Sequence, residues 1–356
     1  MLTNEERIKE IEAVLAKTPH HKATNHFIGR MRAKIAKLKD ELWQKGGGGG
    51  GGGFAVAKTG DASVVLVGFP SVGKSTLINK LTNAQSKVAA YDFTTLDVIP
   101  GMMDYKGAKI QIFDIPGIVS GAASGKGRGK EVISVVRSSD LVVIMVDLKY
   151  MNKTDDIKKE LFDAGIRIDV QPPKISLNKE NSGGVRLTSN LNLPFDLQTA
   201  KEIAQEFRFN NGEIVVKEMV SMDQLIDSFA RNRVYLPSMT IFNKADLLPK
   251  GKKINGFDLL ISADKGEGLD KFRELVWQKL NLARIYLKRP DGTADLENPL
   301  IIRLGQNFKK ILEKISICNK DSFINAKING PGAKFPNQEV PLTFIPQEGT
   351  IVEFCS

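Results

Sequence analysis

Cysteine is almost missing from this chain of 356 residues: only Cys318 and Cys355 occur, far apart and outside any CxxC pattern. So few thiols build neither a disulfide framework nor a zinc site, and a reducing cytoplasm is the expected setting. Histidine is scarce too, and His20, His21 and His26 all fall near the N-terminus. They read as solvated turn residues rather than metal ligands. Their position denies the main body any Ser-His or Cys-His catalytic pair unless the N-terminal segment folds over it. No run nears the roughly 18 apolar residues of a membrane span. The opening MLTNEERIKEIE lacks the apolar core of a secretory signal, so no membrane association is expected. What remains, 42% hydrophobic and 26% charged, is the make-up of a soluble globular protein. Its length suits roughly two to three domains.

The net charge of +10 is uneven. Basic residues are in excess over 1–45, 54–150 and 237–289, whereas 151–236 and 290–356 are slightly acidic. A polyanion such as RNA suits that distribution, and solubility alone explains it equally well.

Thr3 and Glu6 form a capping-box start for a helix carrying Ile8, Ile11 and Leu15, which Thr18-Pro19 ends. A second helix carries Ile28, Met31, Ile35, Leu38 and Leu42 as a short heptad seam, with Arg30, Arg32, Lys34, Lys37 and Lys39 on its other faces. Residues 1–45 therefore predict a basic helical hairpin that packs on itself or on a partner. The seam is too short to specify a dimer, and a monomer is expected. Eight consecutive glycines at 46–53 follow, within a linker spanning 46–60; such a run reads as a tether.

Beyond it, strands and helices alternate. Residues 64–67, 110–113, 141–146, 239–242 and 259–261 read as strands, and Leu269, Phe272, Val276 and Leu280 mark a closing helix. The pattern predicts an α/β doubly wound sheet. It is interrupted, because about ninety residues between Asp147 and Met239 exceed what one crossover needs. The sheet domain thus splits into 61–150 and 237–289. Residues 151–236 hold an inserted α+β module, with strands at 186–188 and 214–217 and a helix at 197–207. From 290 to 356, strands near 300–304, 326–328 and 351–354 and a helix over 308–315 suggest a compact ubiquitin-like unit.

Four motifs carry the chemistry. Gly68-Phe69-Pro70-Ser71-Val72-Gly73-Lys74-Ser75, followed by Thr76, matches the phosphate-binding loop in full, after a strand and before a helix. Backbone amides and the helix N-terminus would hold phosphates, Lys74 the β- and γ-phosphates, and Ser75 a Mg²⁺ ion. Asp114-Ile115-Pro116-Gly117 ends the second strand, where Asp114 can hold Mg²⁺ through water and Gly117 can sense the γ-phosphate. Asn243-Lys244-Ala245-Asp246 selects the base. Guanine presents N1–H and a 2-amino group side by side to one carboxylate, whereas adenine would leave Asp246 unpaired, at about 1–3 kcal/mol. Ser262-Ala263 completes the pocket with a backbone contact to the guanine oxygen. In the loop Phe93-Thr94-Thr95-Leu96, Thr95 is the expected switch ligand of Mg²⁺, with Thr94 its rival. Where Ras-like enzymes use a water-positioning Gln, this chain has Ile118, so unaided hydrolysis should be slow. The stretch 120–130 is glycine-rich and basic. It reads as a switch loop ordered by a partner, or as a source of a cationic group from Lys126, Arg128 or Lys130.

With its motifs and the long strings TPHHKATNHFIGRMRAKIAKLKDEL, GDASVVLVGFPSVGKSTLINKLT, AAYDFTTLDVIPGMMDYKGAKIQIFDIPGIVSGAASGKGRG and NRVYLP, the chain resembles the developmentally regulated GTP-binding proteins. These are a branch of the Obg-type GTPases associated with translation. The resemblance spans nearly the whole sequence. It implies a GTPase domain interrupted by a ribosomal-protein-like insert, an N-terminal helical region and a C-terminal TGS domain. It also implies association with ribosomes or RNA and, from eukaryotic relatives, a stabilising partner protein. The chain departs from the family at Lys334-Phe335, where a Lys-His pair is usual. The stretch from Val340 to Phe344 lacks the usual Gly-x-Asp-His, and Ser120 replaces a frequent Glu. Ser71 stands where potassium-activated GTPases often carry Asn, which leaves K⁺ stimulation open. The expected activity is a Mg²⁺-dependent GTPase switch. Competing readings are a ribosome- or RNA-binding scaffold that hardly turns over GTP, and a P-loop ATPase or small-molecule kinase, which Asp246 disfavours.

Overall fold

The computed structural model describes residues 2–44, 59–82, 99–115, 129–230, 232–249, 254–289, 291–315 and 323–355. The expectations placed on 46–53, Phe93, Thr94, Thr95, Pro116, Gly117, Ile118, Ser120, Lys126, Arg128 and Cys318 lie outside these residues, as does the side chain of Lys130.

The chain opens with α1 (Asn4–Lys17) and α2 (Asn25–Gln44). Then follow β1 (Ala62–Val67), α3 (Lys74–Leu81), β2 (Ile99–Tyr105), β3 (Ala108–Asp114), α4 (Gly129–Ser138) and β4 (Leu141–Val146). Next come α5 (Thr154–Asp163), β5 (Ile166–Ile168), β6 (Ile175–Lys179), β7 (Val185–Thr188), α6 (Leu197–Glu206), β8 (Gly212–Val216), α7 (Met222–Phe229) and β9 (Val234–Leu236). The remainder is β10 (Ser238–Phe242), β11 (Leu259–Leu260), α8 (Leu269–Lys279), β12 (Leu282–Leu287), β13 (Leu300–Arg303), α9 (Phe308–Ile315), β14 (Asn325–Asn329), β15 (Gln338–Pro341) and β16 (Ile351–Cys355). No helix among the described residues is long and apolar enough to cross a membrane. Contacts divide the chain into two compact units, Met1–Val56 with Pro116–Ser138 and Asn152–Leu236, and Ala57–Ile115 with Ser139–Met151 and Pro237–Ser356.

The second of these units is built on a six-stranded sheet in the order β11-β10-β4-β1-β3-β2. Its pairings are parallel except for β2 against β3. Every residue of β1 and β4 is buried. Strands apolar on both faces need cover on both faces, which a parallel sheet between helices supplies. Leu77 and Ile78 of α3 and Phe272 and Val276 of α8 share a core with Val64, Leu66, Ile112, Val143 and Ile241. A second, five-stranded sheet runs β13-β12-β16-β14-β15, with Phe308 and Ile311 of α9 packed on Ile285, Ile302, Ile328 and Val352. β12 lies before Pro290, yet it pairs antiparallel with β13 and parallel with β16.

In the first unit, Thr3 caps α1 through the expected reciprocal bonds with Glu6. Asn4 of α1 donates to Glu41 of α2 at 3.3 Å. The larger commitment of α2, however, is to the insert. Ala33 belongs to a core with Ala200, Ile203, Ala204, Ile214 and Leu225, beneath the three-stranded sheet β6-β8-β7. The helices cross at Gly29, where a Cβ would sit 3.0 Å from Thr199 Cγ2 and 3.1 Å from Met222 Sδ. The basic side chains of α2 follow the same logic. Arg32 pairs with Asp223 at 3.2 Å, Lys39 with Asp163 at 2.9 Å, and Lys37 donates to the Glu206 carbonyl at 3.0 Å. These cations take part in packing within the unit. Deeper in, Arg167 grips both oxygens of Asp227 at 2.6 and 2.7 Å, while Arg233 bonds Asp227 and Asp40, both at 2.8 Å. Such burial of charge is tolerated because each group has partners.

Candidate functional site

The C-terminal ends of parallel strands in an open α/β sheet are where ligands gather, and the motifs lie there. Gly68 follows β1. A Cβ on it would stand 2.3 Å from the Met145 carbonyl, so the close run of the loop past β4 requires glycine. Ser71 and Gly73 then take positive φ values of 63° and 98°, turning the chain into α3. Val72 is wholly buried and Thr76 is exposed. Lys74 lies within this curl, its Nζ donating to the Gly68 and Phe69 carbonyls at 3.2 Å each. Burial pushes its ammonium below its ordinary pKa, and the charge of Asp114 opposes that shift.

Asp114, the last residue of β3, accepts the Ser75 hydroxyl on Oδ2 at 2.5 Å. Its other oxygen, Oδ1, is buried with no hydrogen-bond partner among the described residues and stands 4.0 Å from Lys74 Nζ. An orphaned carboxylate oxygen beside a serine hydroxyl is a hard-oxygen donor set of the kind Mg²⁺ prefers, and it fits such an ion either directly or through water. Ile115 is buried beside it.

Two side chains hold the loop from β10. Asn243, itself buried, donates from Nδ2 to the Val72 carbonyl at 2.8 Å, and its Oδ1 accepts the Ala263 amide at 2.9 Å. A Cβ on Gly73 would meet that Nδ2 at 2.4 Å, so asparagine and glycine define one contact. Lys244, in the left-handed region at φ 60°, donates to the Ser71 carbonyl at 2.8 Å. The Ala245 amide bonds the Ile261 carbonyl, bringing the turn that carries Asp246 beside Ser262. Asp246 stays below the usual carboxylate pKa, first through the Ser262 hydroxyl and also through Lys265, which lies 3.5 Å away. Pro70 sits exposed at the outer edge of the loop.

The described motif residues therefore converge on one sheet edge. Thr95, Phe93, Thr94, Pro116 and Gly117 lie outside the described residues. The motif pattern overlooks three participants. Asp147, buried at the end of β4, accepts Lys244 Nζ on Oδ2 at 2.7 Å. Tyr150 stacks on Phe69 with ring centroids 4.2 Å apart, and Lys265 pairs with Asp246. Only Asp147 leaves a signal in the sequence, as a carboxylate ending a fully apolar strand.

Residues 63–179 match a family model described as a 50S ribosome-binding GTPase, and 182–282 match the C-terminal region of the same domain. The chain is 42% identical to developmentally-regulated G-protein 3 of Arabidopsis thaliana, covering 96% of this chain and 95% of that protein. It is 43% identical to developmentally-regulated GTP-binding protein 1 of Xenopus laevis, over 83% of each. It is 40% identical to ribosome-interacting GTPase 1 of Saccharomyces cerevisiae, over 99% of each.

Proposed function

This chain belongs to the developmentally regulated GTP-binding proteins, and from that premise we propose that it hydrolyses GTP to GDP and phosphate as a Mg²⁺-dependent switch acting on ribosomes in the cytoplasm. One observation carries the reading. Asn243 bonds the phosphate loop with one end of its amide and the Ala263 amide with the other, so phosphate grip and base recognition form one rigid piece.

In this reading the amides of residues 68–75 and the N-terminus of α3 receive the phosphates, and Lys74 exchanges its loop carbonyls for phosphate oxygens. Ser75 and Asp114 would hold Mg²⁺, with Thr95 completing its shell in the GTP state and Gly117 sensing the γ-phosphate. When bound, the ion neutralises charge that develops on the transferred phosphoryl group. Asp246 accepts N1–H and the 2-amino group of guanine, and the Ala263 amide meets the guanine oxygen. Ile118 cannot orient water, so turnover is slow until a partner acts on residues 93–97 and 118–130. The ribosome is the partner favoured, on the name of the yeast relative. The five-stranded C-terminal sheet with α9 is read as the TGS domain.

Calorimetric titration of the Mg²⁺-supplied protein is expected to show GDP binding with ADP failing at the same concentrations; equal affinity would remove the base assignment. Multiple-turnover phosphate release is expected to rise when ribosomes are added, and a flat zero with and without them would favour a scaffold that binds GTP without turnover. Co-sedimentation with ribosomes should be stronger with a non-hydrolysable GTP analogue than with GDP.

A further inference from the structure

Among the described residues, Asp147 is the one buried carboxylate at this end of the sheet to which no motif assigns a task. It follows the fully buried strand β4, and its side chain has two separate partners. Oδ1 accepts the Lys149 amide at 3.1 Å, closing the turn after the strand. Oδ2 accepts the Lys244 ammonium at 2.7 Å, and that same ammonium donates to the Ser71 carbonyl at 2.8 Å. Ser71 has its φ at 63°, a conformation that side-chain-bearing residues adopt only at a cost.

A lysine side chain is long and rotates freely, so it holds a carbonyl poorly unless something fixes its head group. The Asp147 side chain is only 8% exposed and follows the fully buried strand β4, whereas that of Lys244 is 37% exposed. The anchored partner is therefore the carboxylate, and the lysine is what it anchors. We infer that Asp147 is a positioning residue for nucleotide retention: it aims Lys244 at the Ser71 carbonyl and so holds the phosphate loop in its strained, nucleotide-ready turn. The inference rests on the reading of residues 68–75 as the phosphate site. It adds a fifth element to the four motifs, drawn from a strand end that none of them includes.

The consequence is kinetic. When Lys244 is released, the Ser71 turn loses its donor and relaxes more often, and bound GDP leaves faster. The test measures dissociation of a fluorescent GDP from the full chain with Mg²⁺ present, in wild type, Asp147→Ala, Asp147→Asn, Lys244→Met and the double variant Asp147→Ala/Lys244→Met. Loss of a charge-assisted hydrogen bond corresponds to release faster by about tenfold in Asp147→Ala and in Lys244→Met. Asp147→Asn keeps an acceptor for Lys244 and should fall between these and wild type. The double variant should release GDP no faster than Lys244→Met alone, because Asp147 acts through that lysine. A residue that merely supported the fold would instead give multiplied effects, and that result overturns the inference, as does wild-type release from Asp147→Ala. Thermal denaturation of each variant shows which are folded; if Asp147→Ala is not, Asp147→Asn carries the comparison. Failure of the wild-type chain to bind GDP would strike the proposed function instead, and the two failures are thereby separable.

Discussion

Asp246 meets different fates with different purines. Beside Ser262 and Lys265 its charge is already favoured, so it arrives at the base ionised. Asp246→Asn exchanges two acceptors for one acceptor and one donor. That side chain suits xanthine, which carries a carbonyl in place of the guanine 2-amino group. The variant should lose GDP affinity by at least about tenfold and gain XDP binding, read by competition titration. Retained preference for GDP would remove the carboxylate from base recognition. Gly73 offers a second test at the same scale. With φ at 98° and Asn243 Nδ2 only 2.4 Å from any Cβ, Gly73→Ala must break the turn or displace the asparagine. A cost of about 1–3 kcal/mol in stability and loss of GDP binding are expected from denaturation and titration together. These residues were legible in the sequence because each motif is a short contiguous string whose chemistry depends on local spacing. Asp147 shows in the sequence only as a carboxylate ending an apolar strand, since its meaning lies in its contact with Lys244, a partner almost a hundred positions later.

Among elements, the hairpin of β2 and β3 is tied to α8 by a compact charged and aromatic cluster. Glu274 accepts the Tyr105 hydroxyl at 2.7 Å and pairs with Lys106 at 2.7 Å, while Tyr105 meets the edge of Trp277. Lys106 first, and then Tyr105, pull the Glu274 carboxyl down to about 2 from its ordinary 4.5. A depressed carboxyl stabilises the fold fully above its unfolded value and loses that contribution as pH falls through the folded one. The melting temperature of wild type should therefore exceed that of Glu274→Gln above pH 4.5, and the gap should close as pH approaches 2. A gap independent of pH would show that the pair contributes nothing through charge. The crossing of α2 over α6 predicts that Gly29→Leu overpacks the interface by about 1–3 kcal/mol, seen as an earlier thermal transition. α6, β7, β8 and α9 are legible in the sequence because their apolar periodicity is strong. β2 is hidden, because its Pro100-Gly101 pair reads as a turn. Gly101 is there because a Cβ would press to 2.4 Å of Thr82 Cγ2. β12 is hidden as well, since that strand follows α8 after only Leu280 and Asn281 and is easily read as the helix continuing.

At the scale of the whole molecule, composition suggested a basic N-terminal hairpin suited to meeting RNA, and the structure pairs Arg30, Arg32 and Lys39 of that hairpin with acidic residues of the insert. Net charge is visible in a sequence, but the pairing that neutralises it depends on which distant segments meet. Deleting residues 2–44 should accordingly do more than weaken ribosome binding. It should strip Ile203 and Ala200 of their cover and lower the thermal transition of the insert, with faster protease cleavage within 152–236. An unchanged transition would show that α2 is dispensable to that core. The same packing has a consequence during synthesis. α2 is translated early, and α6 begins only at Leu197. At about 5–20 residues per second, the intervening stretch of roughly 150 residues takes on the order of 8–30 s to appear. Throughout that interval the apolar face around Ile28 and Ala33 is finished but unmatched, so a nascent chain stalled in this window should depend on chaperones and should aggregate when they are withdrawn.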